Sequence, residues 1–61
     1  MKTFPSRIIA ENALRAARLD KLPVEFTTIN GEVRPTLFCV FQKDVEFIIE
    51  RGFDARLKVA A

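Results

Sequence analysis

Histidine, tyrosine and tryptophan are absent from this 61-residue chain, cysteine occurs once and glycine twice. Without histidine the usual acid–base group at neutral pH is missing, and no ordinary nucleophile–histidine triad can be assembled. One cysteine and no histidine leave zinc without ligands. Both glycines fall at a turn or a helix end, so none remains for a phosphate-cradling loop. The lone cysteine excludes an internal disulfide and suits a reducing compartment. No apolar run approaches the roughly 20 residues of a membrane span, and the N-terminus lacks the apolar stretch of a signal peptide. The expected setting is the cytoplasm. These absences argue against an enzyme and against a cofactor, a metal, a small-molecule substrate or a membrane as partner.

What is present is organised around Val24 to Phe41, VEFTTINGEVRPTLFCVF. Asn30-Gly31 between two alternating runs is the strongest short-range hairpin signal, because a two-residue type I′ loop needs positive φ at both positions. That loop sets Ile29 opposite Glu32 and, at the other end, Val24 opposite Leu37. Opposite residues share a face. One face then carries Val24, Phe26, Val33, Pro35, Leu37, Cys39 and Phe41, and is read as core. The other carries Glu25, Thr27, Glu32, Arg34 and Thr36, with Arg34 diagonal to Glu25 and placed to neutralise it. Phe38 and Val40 break the pattern on this wet face. Either the chain's own segments cover them, or a subunit or partner does. Pro35 offers no N–H, so a third strand must pair beyond it, along Leu37 to Phe41. Cys39, on the core face, reads as an inert buried thiol.

Before the hairpin, Ser6 is a fitting N-cap for a helix through about Lys21, with Phe4 packing against it. At 100° per residue Arg7, Glu11, Arg15 and Arg18 share one arc. Ile9, Ala13, Ala16 and Ala17 lie opposite as the buried side, and Leu14 is expected to be partly exposed. Pro23 ends this segment. After the hairpin, residues 43 to 51 read as a second helix, with Gly52 in the left-handed position beyond its end. Val45, Ile48 and Ile49 form its inward stripe, and Phe47 projects to the polar side. Glu46 and Glu50, one turn apart, read as a solvated face rather than a cation site. In the tail Ala55, Leu57 and Val59 alternate with Arg56 and Lys58, which favours a strand, and the thirteen-residue connection containing a helix permits a parallel crossover.

The expected architecture is a single domain over 1–61, α+β, a small two-layer α/β unit of order α-β-β-α-β with both helices on one face of the hairpin. So short a chain buries roughly 60% of its unfolded surface, while nearly half its residues are hydrophobic and six are Phe. Such a composition fits a tight core or a shared one. Charge is segregated: Lys2, Arg7, Arg15, Arg18 and Lys21 against Glu11 and Asp20 leave residues 1–22 at +3, and the acidic middle, 23–50, stands at −3.

Two functions compete. The first is a non-enzymatic protein-binding module, an accessory or inhibitory modulator able to self-associate as a homodimer, with Phe38, Val40 and Phe47 as apolar anchors. The alternative is a small basic nucleic-acid-binding regulator using Arg7, Arg15, Arg18, Arg56 and Lys58 as a phosphate-facing patch.

Overall fold

Asn30 and Gly31 both adopt positive φ, 52° and 80°, the backbone a type I′ loop demands. They join β1 (Val24–Ile29) to β2 (Glu32–Cys39) in the expected antiparallel register, from Ile29 opposite Glu32 to Val24 opposite Leu37. The full order is α1 (Arg7–Ala16), β1, β2, α2 (Gln42–Glu50) and β3 (Asp54–Leu57). These elements are seen in a computed structural model that describes residues 1–58. Val59, the last residue of the alternation expected in the tail, lies outside the described residues.

The third strand is parallel to β2 and completes a sheet of order β1-β2-β3. It pairs with Thr36 to Cys39, earlier than the expected Leu37 to Phe41, because pairing can begin at the first residue past Pro35. Below Pro35 the same side of β2 is taken by the lead-in. Phe4 and Val33 exchange two backbone hydrogen bonds of 2.9 and 2.7 Å. Phe4 therefore lies on the sheet rather than on the first helix, its ring stacked 6.4 Å from that of Phe53. The reason is the outward N–H and C=O of Val33, which the proline gap leaves beyond reach of β3 and which the lead-in satisfies.

Both helices cover one face, and their inward residues share a core: Leu14 and Leu19 with Leu37, Cys39, Val45, Ile48, Phe53 and Ala55. The Ser6 hydroxyl accepts from the Ile9 N–H at 3.3 Å, as an N-cap should. The helix stops at Ala16 rather than Lys21, because Arg18 turns left-handed at φ 60°. Arg18 N–H then donates to the Arg15 carbonyl and Leu19 N–H to that of Leu14. This is a Schellman closure, and its usual apolar contact is Leu14 against Leu19.

That closure corrects the expected rotation of α1. Leu14 and Ala10 are buried, whereas Ile8 and Ile9 are exposed. Counting alanines pointed the helix the wrong way; one leucine clamped from below outweighs them. The second helix ends alike, with Gly52 at φ 98°, Gly52 N–H on the Ile49 carbonyl and Phe53 N–H on that of Ile48. Ile48 and Phe53 go inward together, and Ile49, expected inward, is 52% exposed.

Leu37 is fully buried at the centre of this core. Leu37→Ala is expected to cost about 2–5 kcal/mol, most of the roughly 3–9 kcal/mol that a chain this size commands, read from the urea midpoint. Arg18→Gly relieves a left-handed residue that carries a Cβ. It is expected to raise stability by about 1 kcal/mol with an unchanged urea slope.

Candidate functional site

At the corner between β2 and α2, alternation stops with Cys39 and the helix begins at Gln42. Phe41 is thereby the N-cap, at φ −110° and ψ 137°, with no side-chain hydrogen bond to the helix. Its carbonyl accepts from Asp44 and Val45 N–H groups at 3.1 and 3.3 Å. The ring was expected on the core face; it is 67% exposed, beside Val40 at 69%. Extending the strand's period past its last paired residue caused the error, and the signal that locates Phe41 is the start of the helical run at Gln42. Ser, Thr, Asp or Asn at this position would contribute about 1 kcal/mol. The chain forgoes that cap and holds two adjacent apolar side chains in water.

The three anchors read from the sequence do not form one surface. Phe38, half-buried, lies on the sheet face away from the helices, opposite Arg56 of β3. Phe47 is 57% exposed on the outward side of α2, with the Arg51 guanidinium 5.6 Å from its ring. The sheet stands between them. Val40 is at the corner with Phe41.

The uncovered sheet face holds a polar cluster that sequence reasoning missed. Thr36 Oγ1 donates to Asp54 Oδ2 at 2.6 Å in a buried setting, and Arg34 Nε lies 3.8 Å from the same oxygen. Arg34 thus faces Asp54 of the neighbouring strand β3 rather than Glu25, and its Nε is buried without a hydrogen-bond partner among the described residues. The parallel register sets Asp54 beside Thr36. Only the pairing frame of β3, unknown from sequence, could have revealed this.

The basic residues are divided. The Arg7 guanidinium stacks 4.6 Å over Phe26 of β1 and pairs with Glu11 at 3.6 Å. Arg15 Nη1 donates to Asn12 Oδ1 at 2.9 Å. Arg18 follows in the closing turn. Arg56 and Lys58 belong to the far edge strand and its continuation, with Arg56 on the opposite face of the sheet. Arg7, Glu11, Arg15 and Asp20 wall a cavity of about 280 Å³ between α1 and β1, over Val24 and Phe26.

Cys39 is buried and forms no disulfide within the chain. Burial first, and the nearby Asp44 charge second, push its thiol above the ordinary value, which lowers the thiolate fraction at neutral pH. Among the described residues no group of three Cys, Asp or Glu side chains is placed to hold a metal ion, and no helix is long and apolar enough to cross a membrane.

No family model matches the chain, and neither a curated protein nor a solved structure resembles it.

Asp54→Ala removes the acceptor of Thr36 and the counter-charge of Arg34 and is expected to cost about 1–3 kcal/mol in urea unfolding. Iodoacetamide at pH 8 is expected to label Cys39 slowly in the native protein and fast in denaturant, followed by mass spectrometry.

Proposed function

We propose that this protein is a small non-enzymatic binding module of the cytoplasm that modulates another protein by docking on it through Val40 and Phe41. The single observation that carries the reading is the uncapped N-terminus of α2, where an exposed Phe41 occupies a position suited to a small polar cap. Local choices that work against the fold concentrate at functional sites. The neighbouring Gln42, Lys43 and Asp44 are exposed and supply the polar rim that surrounds apolar anchors in protein interfaces. A single buried cysteine, with no second one for an internal disulfide, is in keeping with a cytoplasmic setting.

The test opposes stability to binding. Phe41→Asp restores a cap and complements the helix dipole, so the variant is expected to unfold about 1 kcal/mol later in urea. Yet it should lose the proteins that immobilised wild type captures from native lysate. Those proteins should remain bound at high salt and after nuclease treatment. Capture that survives the substitution, or that vanishes with nuclease, would refute this reading.

A further inference from the structure

The two edges of the sheet are built differently. β3 has four residues, with charged Arg56 within it and Lys58 immediately beyond. β1 has six, VEFTTI, with Glu25 its one charge and no lysine, proline, glycine or bulge to discourage another strand.

Val33 spends its backbone groups on Phe4, away from β1, so Thr28–Val33 is a non-hydrogen-bonded pair. Phe38 N–H donates to the Pro23 carbonyl at 3.0 Å, which fixes the opposite phase two residues past Glu25. The N–H and C=O groups of Val24, Phe26 and Thr28 therefore point outward, and no backbone group among the described residues pairs with them. Beside this edge lies the groove between α1 and β1. At about 280 Å³ its cavity is just below the roughly 300–1,000 Å³ typical of small-molecule sites, and it suits one large side chain of a neighbouring strand.

We propose that the outer edge of β1 receives an extended, net-acidic segment of a partner protein as a fourth strand. One of its side chains enters the α1–β1 groove beside the stacked Arg7 and Phe26. Strand addition beside a helix supplies affinity through main-chain hydrogen bonds and selectivity through the groove.

Charge chooses the occupant. The charges lining the groove balance, and from Arg7 to Ile29 the flanking segment and the receiving strand together carry Arg7, Arg15, Arg18 and Lys21 against Glu11, Asp20 and Glu25, net +1. A second copy paired edge to edge would set two such segments against each other, whereas an acidic segment meets the opposite sign. Within the groove Arg7 already pairs with Glu11. Arg15 is held only by the neutral Asn12 oxygen and has no carboxylate within ion-pair distance among the described residues. This surface is separate from the Phe41 corner, so each reading stands or falls without the other.

The experiment is selection of a phage-displayed library of random linear dodecapeptides on the full chain, with synthetic copies of the winners measured by fluorescence anisotropy. Net-acidic peptides with alternating apolar residues are expected. Thr28→Pro removes an outward N–H without touching the β1–β2 ladder and should weaken them about tenfold or more. Asp20→Lys should tighten them, an effect that a purely structural role would not produce. Phe41→Asp should leave them unchanged. In the wild-type chain the Val24, Phe26 and Thr28 amides should exchange fast alone and slowly with peptide, which tests the edge even if the proline variant does not fold. The proposal is overturned by failure to enrich any peptide, by winners that are net basic, or by affinity indifferent to Thr28→Pro in a folded variant. Dimers of the wild type that Thr28→Pro dissolves would overturn it too, since the edge would then belong to a second copy.

Discussion

The register of the Asn30–Gly31 hairpin is the constraint on which the rest of the molecule depends. Side chains alternate across a strand with period two, so a slip of one residue would send Leu37 and Cys39 to the open face and bring Thr36 and Phe38 under the helices. A loop of two residues at positive φ removes that freedom. Once Leu37 faces the helices, Ala55 does so as its parallel neighbour, and Asp54 must appear beside Thr36 on the other side. The core and the buried polar cluster thus follow from one turn.

The helix exits form the second layer of control. Each helix closes with the same pair of backbone bonds and carries the next apolar residue, Leu19 or Phe53, under its own last turn. These closures set how each helix is rotated on the sheet. They explain why Leu14 and Ile48 are sealed inside, while Ile8, Ile9 and Ile49 face water. A chain of this size has few side chains with which to build an interior, and the terminal turns recruit two that a straight helix would have left outside.

The elements, their order, the hairpin register and the parallel return strand were legible from local chemistry: an Asn-Gly pair, a serine cap, a glycine stop and period-two alternation. Rotation of α1 was not, because the pattern along a helix weighs its own residues and ignores what the following turn tucks beneath it; on α2 the inward Val45 and Ile48 and the outward Phe47 were legible, and Ile49 was not. Phe41 was misplaced because a strand's period says nothing about where the strand ends. The Arg34–Asp54–Thr36 cluster was invisible because it depends on which residue of β3 meets Thr36, a long-range choice. Of the apolar anchors, Val40 and Phe47 are exposed, an outcome the sequence left open, and the separation of Phe47 from Phe38 by the sheet required the third dimension.

The lead-in has a bearing on how the chain becomes structured as it is made. Lys2 N–H donates to the Gly52 carbonyl at 2.8 Å, and the Phe4 ring lies against Phe53. Synthesis runs from the amino end, so Lys2 and the Phe4 ring are made before Gly52 and Phe53, the partners they meet there. Until then Leu37 and Cys39 lack the cover that Val45, Ile48 and Phe53 give them in the finished core. The edge contact of the lead-in thus ties an early segment to a later one, and the core it borders is sealed only when both are present.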